Sequence, residues 1–399
     1  MPLLKENPKN ITSSPDGEAD FRVGPNRVEH LDGLRGIAAL IVVFNHFCAA
    51  FGPIQGTLLS QLLANTSMSL LMSGQFCVLI FFVLSGFVLS NSVSKSSAGS
   101  LPLLLIARYF RLTVPMVLSL IWGWILLSGF SHSRSALAAL SMTSWNHQMF
   151  ACDMPTLFQS AKAGFYEAYG DVFRNGTIRL NPVIWTMRKE LAGSIAIYFV
   201  YCLLRGQWRW LGLVIMTILA AAGPVYLGFP IGAIMRELWV RKMLPHTPFS
   251  WILLIVGLFI ASGNGLGLLS DRTRTAIFGF VSEHSAAVGS VASAMIVFSV
   301  LTIPAIQLVL KTSVPQFLGR ISFALYLLHL PLLGSVLAWV DLNLSIPFYP
   351  KFSVMLIIFL TLAIGAAWLM TITIDEPLIR LLRQMKSVYR ETGAVKRPA

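Results

Sequence analysis

Runs of about twenty apolar residues recur along this chain, and each is long enough to cross the hydrocarbon core of a bilayer as a helix. Only 12% of the 399 residues are charged and 55% are hydrophobic, with a mean hydropathy of +0.71. A soluble domain carries about 25% charged residues, so this composition cannot clothe a water-facing surface. Soluble enzymes, disordered tails and disulfide-rich secreted domains are disfavoured on that ground. The four cysteines show no CxxC or His–Cys spacing and read as small core hydrophobes, with no metal or disulfide. The net charge of +13 would point to nucleic acid in a soluble chain. Here the basic residues fall between apolar blocks, which points to topology and to an anionic headgroup or ligand, with no nucleic acid as partner.

Nine apolar segments stand out, at 31–51, 69–92, 110–130, 183–204, 209–228, 249–269, 286–310, 320–340 and 352–375. Both ends are basic: Arg22, Arg27 and Arg35 at the amino-terminal flank, and Arg380, Arg383, Lys386, Arg390, Lys396 and Arg397 in the carboxy-terminal tail. The positive-inside rule puts both ends in the cytoplasm and demands an even number of crossings. A short or re-entrant crossing at 229–241 restores the parity. The expected fold is therefore an all-α polytopic membrane bundle of about ten transmembrane helices, spanning residues 31–377. It lies between a disordered cytoplasmic tail at 1–30 and a basic cytoplasmic tail at 378–399. No cleavable signal peptide is expected at the start. Asn175-Gly-Thr177 falls on an outer loop, where a glycosylation acceptor would be permitted.

Ionisable groups at membrane depth carry the functional information, because each must be paired or hydrated to be tolerated. His46 lies eleven residues beyond Arg35, hence roughly 16 Å deeper along one helix, with Asp32 suited to cap its start. Glu190 descends about 10–12 Å from the opposite end of the fourth span, behind Pro182, Trp185 and Arg188. His46 and Glu190 are thus expected to meet near mid-bilayer, where a carboxylate-backed His is a competent general base. Arg188 and Lys189 beside Glu190 give the alternative of a structural ion-pair cluster. His329 lies roughly 13 Å beyond Arg320, a depth close to that of His46; Tyr326 shares its face, and Pro331 frees a backbone carbonyl. Ser85 and Gly86 serve either ligand contact or close helix packing. Arg108 and Arg111, three apart at an expected helix start, suit either a phosphate or the topology rule alone. Asp375-Glu376-Pro377 is expected to end the last helix.

Taken together, these segments resemble the acyltransferase-3 family of integral-membrane O-acyltransferases. The resemblance rests on Arg35 and His46 in LDGLRGIAALIVVFNHF, on FFVLSGFVLS, on ARYFRLTVP, on Trp185-Thr-x-x-x-Glu190 and on ISFALYLLHLPLL, in that order. Glu190 is followed by Leu-Ala-Gly193-Ser194, which looks more like the fungal branch than the bacterial one. The resemblance implies transfer of an acyl group, usually acetyl from acetyl-CoA, to a hydroxyl of a sugar, lipid or secondary metabolite. It implies His46 as base or transient acyl carrier, with Arg35 and Glu190 beside it. Arg108, Arg111, Ser85, Gly86 and Arg320 would face the acyl-CoA donor, and Trp185, Arg188, Tyr326 and His329 the small hydroxylated acceptor. No permanently bound cofactor and no metal are implied. The bilayer belongs to a multi-pass protein, in an organelle membrane such as the endoplasmic reticulum if the source is eukaryotic. The rival reading from another class is a membrane transporter or proton relay built on the same His and Glu groups.

Overall fold

The computed structural model describes residues 28–52, 57–140, 156–165, 167–170, 180–244, 248–263 and 284–395, with isolated positions 273 and 279. Asn175 and both ends of the chain, 1–27 and 396–399, lie outside the described residues, as does Cys152. The described residues form helices and no strand. Six helices among them are long and apolar enough to cross a membrane. The chain folds as a membrane helix bundle.

In chain order the helices are α1 (Glu29–Phe51), α2 (Leu58–Asn65), α3 (Gly74–Val93), α4 (Leu101–Gly129), α5 (Ser131–Leu140) and α6 (Leu157–Phe165). There follow α7 (Trp185–Leu203), α8 (Gln207–Ala221), α9 (Gly228–Val240), α10 (Phe249–Ala261), α11 (Ser285–Thr302) and α12 (Pro304–Leu310). The last four are α13 (Ser313–Leu332), α14 (Ala338–Asn343), α15 (Phe348–Met370) and α16 (Glu376–Val395). The segment expected as a short or re-entrant crossing at 229–241 forms the 13-residue helix α9.

Several helix ends depart from the sequence reading, and proline accounts for three of them. The segment 286–310 is two helices, because Pro304 has no N–H to continue the ladder and opens α12 instead. Helix α4 starts at Leu101 with Pro102 in its first turn, nine residues before the apolar window. The last helix does not stop at Asp375-Glu376-Pro377. Residues Thr371–Asp375 make a π-helical turn, and α16 carries the helix on to Val395. The wider turn relieves the clash between the Pro377 ring and the carbonyl four residues back. A second π turn, Leu333–Leu337, follows Pro331. The carbonyl that Pro331 leaves without a partner belongs to Leu327, and it accepts a bond from Asn181 Nδ2 at 2.7 Å.

Two glycine seams hold the bundle together. Parallel helices α1 and α13 approach so closely that a Cβ on Gly36 would strike the Gly319 backbone, and one on Gly319 would strike the Asp32 carbonyl. A Cβ on Gly86 or Gly232 would likewise strike the facing backbone between α3 and α9. Small residues allow such approach, and in lipid the close packing supplies much of the association energy. Helix α3 is largely buried, packed by α1, α7, α9 and α11, with Val88 among its exposed residues. Helices α8 and α10 turn Leu211, Ile218, Leu219, Ile252 and Ile255 outward, as lipid-facing helices do.

These seams predict that Gly36→Leu and Gly232→Leu each destabilise the protein by about 1–3 kcal/mol or more through overpacking. Gly365→Ala, which has open space around it in α15, should leave stability unchanged or slightly raised. Melting temperatures of the purified variants in detergent check the contrast.

Candidate active site

A cavity of about 180 Å³ opens where α1 begins and α3 ends, between α1, α3, α4, α7, α13 and the π turn before α16. Four guanidiniums line it: Arg35, Arg108, Arg111 and Arg320. A bare cation in such a place is costly, and three of the four have a carboxylate in direct contact. Arg35 pairs with Asp32 at 3.0 Å, and Arg320 grips Glu376 through two bonds of 2.6 and 3.0 Å. Arg108 pairs with Glu190.

The Arg108–Glu190 pair is the deepest of the three, its side chains 9% and 13% exposed. Arg108 Nε also donates to Ser194 Oγ at 2.8 Å, and Ser85 Oγ donates to Glu190 Oε1 at 2.6 Å. The alternative of an ion-pair cluster with Arg188 and Lys189 is not realised, because the cation on Glu190 is Arg108. Neighbours one and two residues away on a helix point to other faces. Arg188 donates to the Gly170 carbonyl at 3.1 Å, and Lys189 lies over the rings of Trp185 and Tyr226. Because α4 starts at Leu101, Arg108 and Arg111 lie two to three turns inside the helix, so no helix N-terminus adds to their field. Asp32 does not cap α1 either: the helix begins at Glu29, and the carboxylate turns to Arg35.

Arg111 differs from its neighbours. It keeps open surface toward the cavity, and among the described residues its guanidinium makes no hydrogen bond or ion pair. The carboxylate that acts on it through space is Asp375, delivered by the π turn, and Asp375 Oδ1 is buried without a hydrogen-bond donor.

Arg35 has a second task. Its Nε donates to Ser322 Oγ at 3.0 Å and its Nη2 to the Gly319 carbonyl at 3.1 Å, which pins α1 to α13. Further along the same two helices His46 Nδ1 lies 2.9 Å from His329 Nε2, with the rings stacked. The similar depths of the two histidines in the sequence are therefore realised as a bond. The meeting of His46 with Glu190 is not: Glu190 bonds to Arg108 and Ser85, and His46 to His329.

The proton positions in the histidine pair follow from the partners. His329 Nδ1 lies 3.0 Å from the Leu325 carbonyl, which only accepts, so Nδ1 carries the proton. In the neutral ring, Nε2 of His329 then accepts, and His46 Nδ1 donates to it. Assigned this way, neutral His46 keeps its lone pair on Nε2. His329 is fully buried while His46 is half-buried. Neither lines the cavity. Its wall on their side is Tyr326, whose ring packs against His329 and whose hydroxyl bonds to Thr186 Oγ1 and the Val183 carbonyl, both at 3.2 Å.

Of the residues expected at the site, Arg35, Ser85, Arg108, Arg111, Glu190, Arg320 and Tyr326 line one cavity. Gly86 serves close packing against the Phe229 carbonyl, and Trp185 and Arg188 do not line this cavity. Sequence reasoning passed over Ser194, Ser322 and Thr186. Each is a hydroxyl one turn from Glu190 or two residues past Arg320, and that spacing is the signal that marks them. Among the described residues no three His, Cys, Asp or Glu side chains cluster as a metal ion would require.

The chain belongs to the acyltransferase-3 family: the family's acyltransferase-domain model matches residues 28–372. It is similar to the acyltransferase clz18 of Cochliobolus lunatus, 23% identical over 336 residues, covering 66% of this chain and 68% of the relative. No solved structure matches the chain.

Removing one member of the buried pair leaves the other uncompensated, which costs about 3–5 kcal/mol. Glu190→Gln and Arg108→Gln should therefore lower the melting temperature strongly. Arg111→Gln, which breaks no bond, should shift it little. Thermal unfolding of the three variants side by side measures this.

Proposed function

We propose that this membrane acyltransferase moves an acyl group, acetyl above others, from acyl-CoA to a hydroxyl of a small molecule, sugar or lipid. The observation that carries the reading is the hydrogen-bond chain from the Leu325 carbonyl through His329 to His46, which leaves an unprotonated Nε2 on the half-buried ring. In this account His46 Nε2 takes the acceptor's proton as the oxygen attacks the thioester carbonyl. The tetrahedral intermediate collapses, the C–S bond breaks, and the thiolate leaves as CoA after taking the proton. His329 is a positioning residue that fixes the His46 tautomer. Transient acylation of the same Nε2 is the variant route, with the acyl group then passed to the acceptor.

The donor's thioester end enters the cavity, whose far wall is Tyr326, so this ring must turn for thioester and His46 to meet. The cavity's four guanidiniums are matched by four carboxylates, Asp32, Glu190, Asp375 and Glu376, which makes it a poor pit for phosphates. We therefore assign the phosphates of the donor to the cavity mouth, where exposed Arg380 and Arg383 continue the helix beyond Glu376. Arg108 holds Glu190 instead of phosphate. With both termini cytoplasmic, that mouth faces the cytoplasmic acyl-CoA pool, and the acceptor comes to His46 from the other side.

Purified protein given acetyl-CoA and a panel of hydroxylated acceptors should release free thiol only when the right acceptor is present. His46→Ala should slow that release about 10²–10⁴-fold, while lowering stability only by about 1–3 kcal/mol for the partner lost to His329. Thiol release that ignores the acceptor, or survives His46→Ala, contradicts the reading.

A further inference from the structure

A second polar cluster lies away from the cavity, where α3 and α7 end and α8 meets α9. Six cations belong to this end of the bundle, Lys95, Arg205, Arg209, Arg236, Arg241 and Lys242, and none of them lines the cavity. Arg205 Nη2 donates to the Ser96 carbonyl at 2.8 Å and Arg236 Nε to Asn91 Oδ1 at 3.3 Å, which ties the ends of α7 and α9 to the end of α3. Among the described residues one acid pairs with any of the six, Glu237.

Glu237 offers a single negative charge, and Arg236 takes it. Arg236 Nη1 donates to Glu237 Oε1 at 2.7 Å, and the Tyr201 hydroxyl donates to the same oxygen at 2.8 Å. Arg209 Nη1 stays 3.7 Å from that oxygen, and Arg209 makes no hydrogen bond among the described residues. Its guanidinium lies over the Tyr201 ring at 4.6 Å, and its side chain is only 15% exposed. The Nε is sealed, so the surface that remains open belongs to the rest of the side chain, its terminal nitrogens included. A cation drawn this far from water without a charge of its own is costly. Helix α8 adds to the field, because its first turn holds no acid and its positive end has no side-chain cap. One turn past Glu237, exposed Arg241 stacks on the ring of Trp210, the residue next to Arg209, at 5.2 Å. The cluster therefore carries an unmet demand for negative charge, open to the outside at Arg209 and Arg241.

The surface that continues from it is apolar. Exposed Trp208, Leu211, Ile215 and Ile218 follow one another along one face of α8, starting beside Arg209. An indole at the charged end with aliphatic chains beyond it is the order met in passing from lipid headgroups into hydrocarbon. A soluble anion would satisfy the arginines and leave this face unused. A phospholipid with a net negative headgroup uses both.

We propose that Arg209 and Arg241 bind the headgroup of an anionic phospholipid whose acyl chains lie along the Trp208–Ile218 face of α8. The site is independent of the reading of the cavity. With the termini cytoplasmic, the lipid belongs to the cytoplasmic leaflet, where anionic lipids concentrate.

The test titrates delipidated full-length protein, in a neutral detergent, with phosphatidylserine and with phosphatidylcholine, and counts bound lipid by native mass spectrometry. Phosphatidylserine should bind more tightly, and added salt should erode its advantage. Arg209→Gln and Arg241→Gln should each weaken phosphatidylserine about fivefold and leave phosphatidylcholine unchanged. Arg241→Gln alters an exposed side chain that makes no side-chain hydrogen bond or ion pair among the described residues, so it should melt with the wild type. It keeps the test decisive even if Arg209→Gln unfolds. Equal affinity for the two lipids overturns the proposal, as does a phosphatidylserine preference that survives Arg241→Gln. Coenzyme A or inorganic phosphate that displaces phosphatidylserine at equal concentration, and itself weakens in the same variant, also overturns it by making the cluster a site for soluble phosphates.

Discussion

A guanidinium inside an apolar bundle must be given a carboxylate, and the site is organised by that requirement. Burying either charge alone costs several kcal/mol, so Arg108 and Glu190 come together across 82 positions of sequence and bring α4 and α7 with them. Ser85 from α3 and Ser194 from α7 complete the shell and fix the pair's geometry. With the pair in place, the walls of the cavity are set. The remaining cations then sort themselves by what they touch: Arg35 and Arg320 are satisfied by Asp32 and Glu376, and Arg111 is left facing an acid that it does not reach.

The glycine seam between α1 and α13 plays a complementary part. It lets two parallel helices approach until Arg35 reaches Ser322 and the Gly319 carbonyl, and the same register brings His46 onto His329 further along. The eleven-residue spacing of Arg35 and His46 thus has a mechanical sense. One residue sets the register of α1 on α13, and the other uses it. Arg35 acts on His46 through the helix, with no direct contact needed.

Much of this was legible before any coordinates. Apolar runs long enough to span a bilayer became helices, and even the short segment demanded by charge parity became α9. Polar residues in apolar runs, from Arg35 to Tyr326, converged on one cavity because each needed a partner. The matching depths of His46 and His329 anticipated their bond. What could not be read was which partner each charge would choose. Glu190 was expected to meet His46, with Arg188 and Lys189 as alternative partners, whereas helical geometry points those two away and a distant arginine takes the carboxylate. Helix ends were misjudged at Leu101, Pro304 and Pro377, where hydropathy windows follow composition and the backbone follows proline. Asp375 looked like a helix terminator because a π turn leaves no mark on a hydropathy profile.

The central claim is that a charge-balanced cavity receives the neutral, thioester end of the donor and leaves its phosphates outside. A cryo-electron microscopy structure with a non-hydrolysable acyl-CoA analogue tests it most directly. The account predicts the acyl end toward Tyr326 and the phosphates at the mouth near Arg380 and Arg383. Phosphate density bonded to Arg108 and Arg111 inside the cavity, with Glu190 displaced from Arg108, would contradict it.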